Sequence, residues 1–210
     1  MMRSIDYTKS FIQIYSGLGF HYDPDSMANI TIYDIANSLS QQNRYAGHTK
    51  YPYSVAQHSV LLAKALEKTG KNGNVYSGLM HDAHETVVPD IPRPLKTAIA
   101  ETYGRNDYET FERMIQEMFE NKFDYSVGTE VYVYDLRICS NEKDALMRTT
   151  ELDWGFKDTK RLPVTIRRWT AKQAKFRFLA KYFISGNFSG NLTYKNMLRS
   201  MMYYIGSWFV

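Results

Sequence analysis

Apolar positions along the chain recur mostly at three- and four-residue spacing, the period of a helix with one buried face. Residues 55–69 show it most clearly. Val55, His58, Leu62, Ala65 and Leu66 share a side, Ser54 stands at an N-cap position, and Gly70 stands where a helix stops. Thr31 is placed to cap a helix over residues 32–42, with Ile32, Ile35, Ala36 and Leu39 inward. A shorter helix is predicted over 74–84. Residues 106–120 put Tyr108, Phe111, Met114, Ile115 and Met118 on one side. Residues 130–149 carry Val131, Tyr134, Asp135, Ile138, Leu146 and Met147 on an apolar stripe. Thr170 precedes a helix over 171–183, and residues 191–206 fit a last one. Pro89, Pro92 and Pro94 make residues 88–95 stiff and mostly non-helical. Residues 15–29, with Gly17, Gly19 and Pro24, are irregular with room for a short hairpin, and 162–166 carry the other strand signal. The expected class is all-α, a compact helical bundle with little or no β structure.

Composition narrows the picture. The 210 residues suffice for one domain with a real core, a body over about 20–150 and a basic helical extension over about 157–210. Hydrophobic residues are 44% and charged residues 23% of the chain. With a mean hydropathy of -0.44 and no apolar run near the roughly 20 residues of a membrane helix, a disordered, collagen-like or integral membrane chain is excluded. No apolar stretch follows Met1 to Asp6, so a secretory signal is not expected. Cys139 stands alone, which rules out a disulfide framework within the chain and makes a reducing cytoplasm the expected location. The net charge of +4 is uneven: residues 157–210 hold eleven basic residues and one acid, Asp158, for a net +10, and the rest of the chain carries -6. Such a tail either packs on an acidic body or draws in a polyanion, and charge runs are more often solvated faces.

The chemistry gathers around histidines. Of the five, His21, His48, His58, His81 and His84, three lie within 27 positions, and His81-Asp82-Ala83-His84-Glu85 closes an apolar helix. A lone histidine on an apolar face is more often a hydrogen-bonded core residue than a ligand. Two of them on consecutive helices, one followed at once by Asp, weaken that reading. Imidazole nitrogen with carboxylate oxygen is the ligand set of Zn, Co, Mn or Fe. Asp135, between Tyr134 and Leu136 on an apolar stripe, is the candidate further ligand, because a buried carboxylate is costly unless paired or metal-bound. A salt bridge to Arg137, Arg148 or the basic tail is the alternative.

The order His58, His81-Asp82, Asp135 resembles the H…HD…D signature of the HD-domain metal-dependent phosphohydrolases. Residues 53–60, Tyr-Ser-Val-Ala-Gln-His-Ser-Val, are similar to that family's first metal helix. His81 to Glu85 followed by Asp90-Ile91-Pro92-Arg93-Pro94-Leu95-Lys96 resembles the HDxxE…GDxPxPxK segment of its deoxynucleotidase branch. Asn43-Arg44-Tyr45 resembles the Arg-aromatic pair beneath the nucleotide there. The likeness spans about residues 20–146. The chain departs from it at Pro89, where that branch has Gly, and at Tyr132, where related phage enzymes can carry a phosphate-binding Lys.

The resemblance implies His58, His81, Asp82 and Asp135 as ligands of a divalent ion, Zn, Co or Mn, with a second ion, Mg, on the phosphates as a further option. It implies Glu85 and Asp90 as catalytic carboxyls, one orienting water and one assisting the leaving oxygen, in exchangeable roles. Arg44, Tyr45, Pro94 and Lys96 become substrate-binding residues. Tyr45 is expected to stack on a purine or fill the space of a 2'-hydroxyl. His84 is expected to be exposed and His48 to be a loop residue. The expected activity is hydrolysis of a dNTP, dATP foremost, as in compact phage triphosphohydrolases, with a host-cytoplasmic setting if of phage origin. A 5'-deoxynucleotidase acting on dNMPs is the alternative. The expected partners are a small deoxynucleotide and further copies of the chain, with neither membrane nor nucleic acid. A nucleic-acid binder using the basic tail with Trp154, Trp169 and Tyr182 is the reading from another class; it needs no buried metal ligands, and its binding falls steeply with salt.

Overall fold

A computed structural model describes residues 10–186 of the protein. Seven α-helices make up its regular structure: α1 Ile32–Gln41, α2 Val55–Lys68, α3 Val75–Met80, α4 Arg93–Tyr103, α5 Asp107–Phe123, α6 Thr129–Leu146 and α7 Ala171–Ser185. The only sheet among the described residues is a minimal antiparallel hairpin, β1 Ile12–Gln13 with β2 Gly19–Phe20, Ile12 facing Phe20. The fold is all-α.

Three of the helices, α1, α2 and α7, begin where short polar side chains cap them. Thr31 and Asp34 form a reciprocal capping box on α1, Thr170 and Gln173 form one on α7, and Ser54 Oγ accepts from the Gln57 N–H on α2. Each satisfies amide groups that a helix start otherwise leaves bare. Asp34 also accepts the Ser16 N–H at 2.7 Å, tying the hairpin to α1.

Helix α2 is the centre of the packing, touching α1, α3, α6 and α7. Its Val55, Ala56, Leu62, Ala63, Ala65 and Leu66 are buried, as are Ile35 and Leu39 of α1 and Phe178 of α7. Helix α7 packs on α1, α2 and α3, so the first helix of the basic extension is built into this core. Its cations are spent locally: Lys181 Nζ donates to Glu67 at 2.8 Å and Lys175 Nζ to Asn37 at 3.0 Å, while Arg161 pairs with Asp144. Two cations of the described tail, Lys181 and Arg161, thus meet acidic residues of the body, and Lys175 meets an amide.

Several local expectations are corrected. Helix α3 stops at Met80, and a separate 3-10 turn, Ala83–Thr86, carries Glu85. Residues 88–92 are non-helical as expected, and only the end of the proline segment opens α4, because Pro94 lies in the first helical turn, where the missing N–H costs no hydrogen bond. On α5 the buried residues are Ile115 and Phe119, whereas Met114 is exposed. Residues 157–170 of the extension are irregular, and 162–166 form no strand. That course is pinned by Asn141, which exchanges two hydrogen bonds with the Leu162 backbone at 2.9 and 3.0 Å. Gln57 Nε2 holds the Arg167 carbonyl at 2.6 Å. The helix expected over 191–206 lies outside the described residues. None of the helices among the described residues is long and apolar enough to cross a membrane.

Candidate metal centre

Three helices supply one cluster. His58 sits on the second turn of α2, His81 and Asp82 directly follow α3, and Asp135 lies on the second turn of α6. The tight α2–α3 packing brings the two histidine rings to 5.2 Å between centroids. His58 Nε2 and His81 Nε2 are 3.3 Å apart. Asp82 Oδ2 lies 3.1 Å from His81 Nε2 and 3.7 Å from His58 Nε2. Asp135 Oδ1 lies 3.1 Å from His58 Nε2 and 3.8 Å from His81 Nε2. It is buried and makes no hydrogen bond in proper geometry. Of the alternative partners of Asp135, Arg137 is otherwise engaged, donating to the Lys160 and Arg161 carbonyls.

The hydrogen bonds behind the rings decide what faces the cluster. His81 Nδ1 is 3.0 Å from the Gly78 carbonyl oxygen, which can only accept, so Nδ1 carries the hydrogen and the neutral ring has its lone pair at Nε2. His58 Nδ1 is 2.6 Å from Glu142 Oε1, and the same argument applies. Two lone pairs then face each other between two carboxylate oxygens, an arrangement short of positive charge. Protons supply it in the metal-free protein. Burial lowers the His81 imidazole, but Asp82 and Asp135 more than reverse this and push it up to about 10. Burial and Arg44 oppose protonation of His58, yet Glu142 and Asp135 raise it. Burial likewise opposes ionisation of Asp82 and Asp135, and the imidazoles hold both below the ordinary carboxylate range. A divalent ion answers the same need. The unsatisfied Asp135 oxygen and the two-nitrogen, two-oxygen donor set fit Zn, Co or Mn. His58, His81 and Asp82 by themselves bring three donor atoms within 4.8 Å of one another.

Asp82 and Asp135 of the cluster line an open cleft of about 1300 Å³, with the two histidines buried behind them. Every residue singled out as catalytic or substrate-binding lines it: Arg44, Tyr45, Glu85, Asp90, Pro94 and Lys96. Glu85 is buried, and burial first, then the charges of Asp82 and Asp90, raise its carboxyl well above the usual range. Burial also raises Asp90, although Arg44 opposes it. Arg44 Nη1 lies 3.4 Å from Asp82 Oδ2. Lys96 Nζ is tied to both oxygens of Glu112 at 2.6 and 2.7 Å. It is a helix residue with a partner, and no longer a free loop cation. The Tyr45 hydroxyl donates to Glu142 Oε2 at 2.6 Å, which leaves its ring to face Trp154 at 6.0 Å.

Sequence reasoning missed several of these residues. Glu142 is wholly buried beneath His58, although it lies seven residues after Asp135 on the same face of α6, in a gap of the apolar stripe. His84, expected on the surface, is buried against the cleft, and burial drives its imidazole down to about 4. Arg93 and Arg113 are cleft cations, while no residue of the described part of the basic tail lines it. His48 lies exposed at the rim.

Over 136 residues the chain is 37% identical to the uncharacterized protein YfdR of Escherichia coli K12, covering 64% of this chain and 71% of that protein. The chain belongs to the family of YfdR. It is also 40% identical over 91 residues to an uncharacterized protein of Rhodobacter capsulatus, covering 40% of this chain and 45% of that one. No protein-family model matches the chain. The names of these YfdR relatives assign no activity.

Proposed function

We propose that the protein is a metal-dependent phosphohydrolase of deoxynucleotides, acting foremost as a dATP triphosphohydrolase in which water cleaves the ester bond and releases the deoxynucleoside and triphosphate. The observation that carries this reading is the convergence of His58, His81, Asp82 and Asp135, with Asp82 and Asp135 lining a cleft that also holds Glu85, Asp90 and Arg44. The residue types and their order resemble the HD-domain phosphohydrolases, and the geometry supports the likeness.

Charge supports it too. The cleft presents six carboxylates against four cations, Arg44, Arg93, Lys96 and Arg113. A polyphosphate is repelled by that balance unless divalent positive charge accompanies it. When bound, a divalent ion lowers the pKa of water and neutralises phosphate charge. His58, His81, Asp82 and Asp135 hold it. Glu85 and Asp90 hold and move protons, one toward the leaving oxygen and one from water. Both carboxyls are raised partly by the negative charge of Asp82, so compensating that charge lowers both. Arg44 meets phosphate charge from the opposite side, and Lys96 does so after exchanging its Glu112 partner. The Tyr45 and Trp154 rings offer flat apolar surface to a base. The reading from another class, nucleic-acid binding through the tail, is less well supported, because Lys175, Lys181 and Arg161 are occupied within the fold.

The test is phosphate release and product chromatography on dATP, dGTP, dCTP, dTTP, ATP and dAMP, each with Zn, Co, Mn and Mg. Metal-dependent turnover of dATP above ATP is expected. Turnover of dAMP with none of dATP moves the assignment to a 5'-deoxynucleotidase, and no turnover of any nucleotide rejects the enzyme.

A further inference from the structure

We propose that Glu142 is a positioning residue of this centre: its buried carboxylate fixes the tautomer of His58, so that Nε2 faces the metal cluster with its lone pair. The inference rests on the metal reading above, but its structural half does not.

Glu142 is 0% exposed, and both of its oxygens are spoken for. Oε1 accepts from His58 Nδ1 at 2.6 Å and from the Tyr53 hydroxyl at 2.8 Å. Oε2 accepts from the Tyr45 hydroxyl at 2.6 Å, and Arg44 Nε lies 3.5 Å away. With these donors on it the carboxylate has no part in binding metal or nucleotide directly. It acts through His58. Burying a carboxylate is costly, and substituting apolar side chains for buried charges is often neutral or stabilising. Stability of the core therefore gives little reason for an acid here. A ring that must present one nitrogen gives a good one. The Tyr53 and Tyr45 hydroxyls and Arg44 surround the carboxylate with donors, so it is placed as an acceptor on every side. His58 Nδ1 therefore donates to it, and the neutral ring keeps its lone pair at Nε2.

The carboxylate is itself held rigid. Tyr53 lies in the extended stretch just before α2, and its carbonyl accepts from the Arg44 N–H at 2.9 Å. Tyr45, Ala46 and Gly47 then take three successive positive φ angles of 58°, 49° and 80°. Two of these residues carry a Cβ, so the turn persists only if its surroundings over-determine it. The Tyr45 hydroxyl on Glu142 is one such restraint. One acid thus joins the ligand on α2 to the turn that presents Arg44 and Tyr45 to the cleft. Its own helix, α6, also carries Asp135 two turns earlier, so α6 supports the centre from both sides.

The test uses the full chain and two independent readings. The first is the dissociation constant for Mn or Co alone, by calorimetry without nucleotide, in wild type, Glu142→Gln and Tyr53→Phe. Supporting an orienting partner of a ligand histidine is worth about 10–100-fold in metal affinity. Glu142→Gln is expected to lose that much, while Tyr53→Phe, which removes a different bond to the same oxygen, changes it less than about threefold. The second reading is the nitrogen–proton correlation spectrum of the imidazoles in the metal-free protein below room temperature. Wild type is expected to show a strongly downfield His58 Nδ1–H signal, which moves upfield in Glu142→Gln. Wild-type metal affinity in a folded Glu142→Gln protein overturns the positioning role. If wild type binds no divalent ion, the metal reading fails, and the spectrum alone decides the role of Glu142: a neutral His58 ring with its proton on Nε2 and none on Nδ1 overturns it. Glu142→Asp replaces Glu142→Gln if the amide variant does not fold.

Discussion

Gly78 of α3 packs directly beneath Leu66 of α2, with no room between them for a Cβ. The same residue offers its carbonyl oxygen to His81 Nδ1 at 3.0 Å. A close contact between α2 and α3 and the orientation of a candidate ligand therefore depend on one glycine. Leu66 is fully buried and cannot swing aside into solvent. Gly78→Ala is expected to destabilise the protein by roughly 1–3 kcal/mol through overpacking, read as a lowered urea midpoint. Because the carbonyl moves with the helix, metal affinity should fall with it. An unchanged midpoint would show that α3 shifts freely on α2.

Loss of a ligand should remove metal and activity together. Asp135→Ala and His81→Ala are expected to leave the purified protein with substoichiometric metal by elemental analysis, and without turnover. In the metal-free protein the same Asp135→Ala change should lower the His81 pKa, since Asp135 is among the groups that raise it. Full metal content and full turnover in Asp135→Ala would place the fourth ligand elsewhere.

Glu85 should behave differently from the ligands. It lies in the 3-10 turn after them and lines the cleft. Glu85→Ala is expected to keep metal and nucleotide binding while losing about 100-fold or more in kcat, as general acid–base groups commonly contribute 10²–10⁴-fold. A rise in KM at constant kcat would instead mark it as a binding residue.

Cys139 provides a pH-dependent check on the cleft floor. Burial raises its thiol to about 12, and Arg44 Nη2, 3.8 Å away, lowers it only in part. The reactive thiolate is therefore scarce below that pH. At pH 8 the folded protein should react with a disulfide reagent at least about a hundredfold more slowly than the urea-unfolded chain, whose cysteine titrates near 8.5. The folded-state rate should keep climbing as pH approaches the raised value. Equal rates in the two states would show an open thiol.

The sequence alone determined the features that are made locally. Ser54, Thr31 and Thr170 cap their helices because a side chain and an N–H three residues on need nothing else to meet. The buried faces of α1 and α2 follow from spacing for the same reason, and the ligand types of the centre could be read from one imidazole–carboxylate pattern. Glu142 could not. Its two oxygens find donors on residues 84, 89 and 97 positions away, and a lone acid in an apolar stripe does not reveal them. The burial of His84, the capture of Lys96 by Glu112 and the irregular path of residues 157–170 were likewise decided by which surfaces meet in three dimensions. A charge is free or paired, and a ring exposed or desolvated, only once its distant neighbours are in place. That is why the His and Asp residues of the candidate cluster could be picked out along the chain while the network around them became visible only in the folded protein.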